Sequence, residues 1–236
     1  MRHAIPSLTR LSALVASSRG NTRFAQGLLK KLTCSAFLIP SDPPSFVYST
    51  HLNYIASLGS AGQTGPTTIL SPVKKDYNPQ TANYRVFTAI RDFQSVAEEK
   101  GHEDIVLLAQ VMELHEYVTA GFWTKVEDAL LHVEGLLGID WEAIAPAPAD
   151  DIKKESEMKD SDVAGMKEKP KTKIAQALEV LVLIIGVTFY THKGDGDEAQ
   201  LRMKGMHDRL DGGALTAFGK DGVVEVCAFA FRNGHS

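Results

Sequence analysis

The sequence predicts an all-α fold, in which helical hairpins stack as an α-solenoid with flexible insertions between them. Three observations predict it. Apolar residues recur at helical spacing through Tyr84–Asp140, in three segments of several turns each. Single glycines, Gly101 and Gly121, stand between those segments, where a chain that must stop and reverse needs a residue free to take positive φ. A similar pair of segments recurs at 173–212, and a basic pair precedes at 1–35. The chain has 236 residues, 44% of them hydrophobic, which is a globular composition. A net charge of −4 argues against non-specific nucleic-acid binding by the whole surface, though it leaves room for local basic patches. Cys34 and Cys227, the two cysteines, lie far apart, so no disulfide framework is expected and a reducing compartment fits.

Residues 1–58 hold a basic helical hairpin and a proline-rich connection. The first acidic residue is Asp42; before it come Arg2, Arg10, Arg19, Arg23, Lys30 and Lys31 among serines. That stretch admits two readings. One is a mitochondrial transit peptide. The other is a hairpin of helices Leu8–Ser18 and Arg23–Leu32, turned at Arg19-Gly20-Asn21 with Thr22 as N-cap. Phe37–Tyr48 carries Pro40, Pro43 and Pro44 and is expected to be a loop, or a broken end followed by a new helix. His51–Ser57 has room for one or two helical turns. Residues 59–80, rich in Gly, Thr, Pro and Ser, are expected to form a flexible loop.

The central repeats occupy 81–141. A first helix is expected from Asn83, as N-cap, to Lys100, closed by Gly101. A second runs over Glu103–Ala120. Its two stripes, Ile105/Leu108/Met112/His115 and Leu107/Val111/Leu114/Val118, are wide enough to require neighbours on both sides. A third runs over Trp123–Leu137, with Val126, Leu130, Val133 and Leu137 on one face. Residues 142–172, rich in Ala, Pro, Lys, Asp and Glu, bury too little apolar surface to offset their ordering entropy and are expected to be a disordered charged insertion.

The second hairpin spans 173–212. Its parts are a buried helix Lys173–Thr191, a turn His192–Asp197, and a helix Glu198–Leu210 with Leu201, Met203, Met206 and Leu210 on or near one face. Gly186 is expected to admit a close helix neighbour. The apolar run Ala175–Tyr190 is shorter than the roughly 20 residues that span a bilayer, and Glu179 interrupts it. A soluble protein with no membrane partner is therefore expected. Residues 213–236 form an irregular or short extended tail, with VVEV at 223–226 favouring a strand.

No catalytic, cofactor-binding or metal-ligating constellation stands out. Lys193-Gly194-Asp195-Gly196-Asp197-Glu198 begins like a calcium loop, but Leu201 and Met203 occupy the region where later ligands belong. The eight histidines form no H-x-x-x-H pair. No small-molecule substrate and no cofactor are expected. What remains is surface. Phe122 and Trp123 are large aromatics beside a helix cap, and either wedge adjacent repeats or anchor an interface. Tyr117, Gly121 and Leu130 fall at intervals like those of the tetratricopeptide repeat (TPR), whose period is about 34 residues. Phe122, Trp123 and Tyr117 are therefore the candidate partner-binding residues on a TPR-like scaffold.

Three stretches together carry a resemblance. They are SLTRLSALVASSRGNTRFAQGLLKKL, FQSVAEEKGHEDIVLLAQVMELHEYV and ALEVLVLIIGVTFYTHKGDGDEAQLRMKGMHDRLD, the last ending Met206-His207-x-x-Leu210-Asp211. In this order they resemble the fungal cohesin loading factor family, the tetratricopeptide-type subunit of the sister-chromatid cohesion loader, of which this chain would be a partial or truncated member. The resemblance implies a non-enzymatic scaffold. Its repeats would wrap an extended segment of the large HEAT-repeat loader subunit and, through that pair, bring cohesin to chromatin in the nucleus. The alternative is a mitochondrial or cytosolic TPR-like adaptor for another protein.

Overall fold

The computed structural model describes residues 4–34, 38, 42–62, 79–139, 141–144 and 172–216. Every regular element among them is helical: α1 Ala4–Ser18, α2 Thr22–Leu32, α3 Pro44–Gly62, α4 Pro79–Glu99, α5 Glu103–Thr119, α6 Trp123–Leu137, α7 Trp141–Ile144, α8 Lys173–Lys193 and α9 Gly196–Asp211. The chain divides into two compact units between Val126 and Glu127, inside α6. The expected disordered charged insertion, 142–172, lies mostly outside the described residues.

In the first unit, α1 and α2 form the basic hairpin. Gly20 takes φ +78 at the turn. The N-cap of α2 is Asn21, not Thr22: its side chain accepts a hydrogen bond from the Phe24 amide at 3.3 Å. Asn and Thr can both cap, but Thr22 already has helical geometry, so the residue before it does the work. Ala13 and Ala16 bury against Ala25, Leu29 and Leu32.

Helix α3 is the largest departure from expectation. It is 19 residues long, where one or two turns were expected at His51–Ser57. The prolines that pointed to a loop start the helix instead: Pro44 is its first residue, where a missing N–H costs nothing and the fixed φ suits the helix. Likewise α4 begins at Pro79, so Asn83 lies inside the helix and is not its cap. The expected flexible loop at 59–80 thereby loses both its ends to helices. Its remainder, 63–78, lies outside the described residues.

Helices α3, α4 and α5 share one core. Val47, Tyr48, Ile55 and Leu58 meet Val86, Ala89, Ile90, Phe93 and Ala97 from α4, and Ala109 and Met112 from α5. Tyr48 stands edge-on to Phe93 at 5.8 Å, and its hydroxyl shares a 2.6 Å hydrogen bond with His102 Nδ1. That bond ties α3 to the turn where Gly101 takes φ +69.

His51 is buried in this core beside Phe93, 6.0 Å between ring centroids, and its Nε2 has no hydrogen-bond partner among the described residues. Burial pushes the imidazole below its usual 6.5, with the nearby Asp92 charge opposing. Below 6.5 the unfolded chain therefore binds a proton that the folded chain resists. The His51 contribution to stability is complete above 6.5 and is lost as pH falls from there through the lowered folded value. The melting midpoint is expected to fall between about pH 7 and pH 5, and to fall less in His51→Phe. Equal slopes in the two proteins would contradict this.

In the second unit, α8 and α9 form a hairpin with a two-residue turn, shorter than the six residues expected. Gly194 ends α8 at φ +83, and Asp195 at once caps α9 by accepting from the Glu198 amide at 3.3 Å. At 21 residues, α8 is long and apolar enough to cross a membrane by length and composition, longer than the expected run. It is nonetheless the core helix here: 61% of its most apolar window is buried, and Glu179 pairs with Arg209 at 2.7 Å. On α9 the buried stripe is Ala199, Arg202 and Gly205. Met203, expected on the apolar face, is exposed, while Met206 and Leu210 pack beside Ala177, Val180, Ala214 and Leu215. Residues 213–216 form a turn, and the expected strand at 223–226 lies outside the described residues.

Candidate interaction site at the α5–α6 turn

The stretch that brings candidate residues together is the turn between α5 and α6. Phe87 and Arg91 lie one turn apart on α4, as do Glu113 and Tyr117 on α5. Tyr117 stacks on Phe87 at 4.9 Å with the planes tilted by 31°. Phe122 lies against the same Phe87 ring at 6.0 Å. Lys125 Nζ sits 5.7 Å from the Tyr117 centroid and 5.9 Å from that of Phe122, within cation–π range. On the other side, Arg91 Nη2 donates to Glu113 Oε1 at 3.0 Å, and the Tyr117 hydroxyl donates to the same oxygen at 2.9 Å.

The electrostatics follow from these contacts. The hydrogen bond to Glu113, then its charge, pushes the Arg91 guanidinium above its usual value. Burial, then the Glu113 carboxylate, pushes the Tyr117 phenol up, so its hydroxyl remains a donor. Phe87 is the buried base of the patch, Phe122 its exposed edge, and two cations flank it. Of the three candidates, Tyr117 and Phe122 meet on Phe87. Trp123 opens α6 half-buried beside Gly121, where a methyl group would stand 3.9 Å from its Nε1.

Gly121 takes φ +72 between the two helices, a conformation that costs a side-chain-bearing residue strain. Gly121→Val is expected to destabilise the fold by roughly 1 kcal/mol or more, read as a lower thermal midpoint. An unchanged melting curve would contradict the turn geometry.

A second polar cluster lies inside the second unit, and the sequence reading missed it. Arg202 is 2% exposed. Its Nε donates to Glu134 Oε1 at 2.8 Å and its Nη2 to Glu134 Oε2 at 3.0 Å. Nη1 donates to the Glu198 carboxylate one turn earlier on α9. The guanidinium lies 4.0 Å from the Tyr190 ring and 4.7 Å from that of Trp141. Burial works against the Arg202 charge, but hydrogen bonds to Glu134 and Glu198 carry it above its usual value. Burial also pushes the Glu134 carboxyl up, and Arg202 opposes it. Both Glu134 oxygens accept N–H donors, so Glu134 stands as the carboxylate of a two-pronged ion pair. Gly186 makes room: a Cβ there would lie 2.5 Å from Arg202 Cδ. The close approach at Gly186 is thus to an arginine side chain. Each Arg202 nitrogen donates to a carboxylate, Glu134 buried and Glu198 half-exposed, which makes this cluster a clamp.

The Asp195 carboxylate is spent on capping α9. Among the described residues, no three His, Cys, Asp or Glu gather as a metal site. No family, no curated protein and no solved structure matches the chain.

Proposed function

We propose that the chain is a non-enzymatic, TPR-like helical scaffold that holds an extended segment of a partner protein, with the α5–α6 turn as a contact point. The observation that carries this reading is the patch of Tyr117, Phe122 and Lys125 on Phe87, flanked by Arg91. Aromatic and arginine side chains are the usual interface anchors, and these are fixed by helix ends and hydrogen bonds before any partner arrives. The short-turned hairpins α1–α2, α4–α5 and α8–α9 support a solenoid arrangement, in which repeats present a continuous surface to a peptide. The resemblance to the cohesin loading factor specifies the partner as an extended segment of the large HEAT-repeat loader subunit, and the setting as cohesin loading on nuclear chromatin.

Titrating a labelled N-terminal peptide of that subunit tests the proposal. Saturable binding is expected, weakened about tenfold or more by Phe122→Ala, since an anchor truncation costs over 1 kcal/mol. No binding by a folded chain would end this reading. The second reading, a mitochondrial or cytosolic adaptor, is favoured by the absence of any acidic residue before Asp42. Imaging a C-terminal fusion separates the two, since nuclear signal excludes the mitochondrial one.

A further inference from the structure

The patch on Phe87 holds one charge that nothing beside it balances. Arg91 is satisfied, since its Nε and Nη2 both donate to Glu113 Oε1, at 3.3 and 3.0 Å. The Tyr117 hydroxyl is committed to the same oxygen. Lys125 differs. It is exposed, and among the described residues no carboxylate comes within ion-pair distance of it. Asp128, the acid one turn along α6, is exposed too and makes no ion pair with it. Lys125 Nζ lies instead over the rings of Tyr117 and Phe122. Rings attract a cation through their quadrupole but supply no counter-charge. Two cations and one carboxylate leave this patch positive by one charge, in a chain that is −4 overall.

The chemistry of the absent counter-charge follows from what is already occupied. An ammonium with one side against rings has fewer waters to shed when an anion approaches from the other side. A phosphate is best held by a guanidinium fork, and the fork at this patch, Arg91, already faces Glu113. A point charge such as Lys125 suits a lone carboxylate. Phe122, 36% exposed, lies directly beside that charge and offers apolar surface to the residue next to the carboxylate. The complement of this surface is therefore an acid and an apolar side chain within a residue or two of each other on an extended chain.

Taking the chain as the peptide-holding scaffold described above, on which this step rests, we propose that the patch seats an acidic residue of the partner segment. An aspartate or glutamate carboxylate pairs with Lys125, and an adjoining apolar side chain lies on Phe122. Lys125 then selects among segments that the aromatic rings alone would accept equally.

A double-substitution cycle on the full chain tests it. The probes are the native N-terminal peptide of the large loader subunit and variants of it, each with one Asp or Glu changed to Asn or Gln. One of these variants is expected to bind wild type about fivefold more weakly, and the difference should shrink in about 0.5 M salt. Lys125→Gln is expected to weaken the native peptide by a similar factor, and in it that same peptide variant should lose nothing further. Lys30→Gln, which removes an exposed cation from α2, is expected to bind every peptide as wild type does. Lys125 is exposed, so its replacement should leave the melting midpoint unchanged. Fully additive losses, or a Lys125→Gln chain that binds the native peptide as tightly as wild type, would overturn the acidic occupant and leave the scaffold reading standing. An equal loss in Lys30→Gln would also overturn it, by reducing the effect to net charge. Loss confined to apolar positions of the peptide would assign the patch to an apolar anchor instead. No binding of the native peptide by folded wild type would remove the scaffold reading and the occupant together.

Discussion

Arg202→Met is expected to destabilise the protein by about 3–5 kcal/mol, the usual cost of leaving one member of a buried ion pair alone. The substitution keeps much of the side-chain volume and removes every donor. Glu134, 2% exposed, then holds two carboxylate oxygens that had accepted from Nε and Nη2. Neither oxygen has an equivalent route to water at that burial. Tyr190 and Trp141 also lose the cation stacked between them. Denaturation followed by Trp141 fluorescence, with Trp123 replaced by Phe, measures the loss. Adding Glu134→Leu should return most of it, because removing both charges costs far less than removing one. A single substitution that costs under about 1 kcal/mol would mean the pair is solvated, and the burial described above would be wrong.

Phe93→Ala is expected to cost about 3–5 kcal/mol, from lost transfer free energy plus the cavity it leaves. Phe93 is fully buried and touches α3 twice, through Tyr48 and His51. Its ring is thus an α4 contact for the helix that carries the Tyr48–His102 bond. Urea denaturation should show a lower midpoint with an unchanged slope. Phe93→Leu, which retains most of the volume, should cost markedly less. A cost for Phe93→Ala no larger than that of an exposed substitution such as Tyr84→Ala would contradict the α3–α4 packing.

What could be read from the sequence follows the reach of the interactions. Helices α5 and α6 were legible because period, cap and stop all lie within about twenty residues. Gly101, Gly121 and Gly194 announced turns because only glycine takes their positive φ without strain. Helix α3 was hidden by Pro43 and Pro44, which break a helix from within but start one from its first position. Its buried Thr50 and His51 also blurred the apolar stripe. Arg202 was hidden for another reason. An arginine between Leu201 and Met203 belongs on the solvent face unless a carboxylate awaits it, and that carboxylate is 68 positions away. The faint signal was Gly186, which marks a space for a close neighbour; Glu179 inside the apolar run signalled a different pair, with Arg209. At the candidate site, Tyr117 and Phe122 were named from the sequence. Phe87, the ring on which both rest, was not among the candidates, because an apolar residue at helical spacing gives no sign of which side chains will stack on it.

The glycine, glutamate and arginine of the buried clamp also restrict how this sequence can drift. Any side chain at Gly186 meets Arg202, a shortened Arg202 strands Glu134, and a neutral Glu134 leaves Arg202 with Glu198 as its remaining carboxylate. Each position is intolerant while the other two stand, yet an apolar trio of equal volume would be acceptable. Substitutions at the three positions are therefore expected to be strongly non-additive, each costly alone and far less costly together.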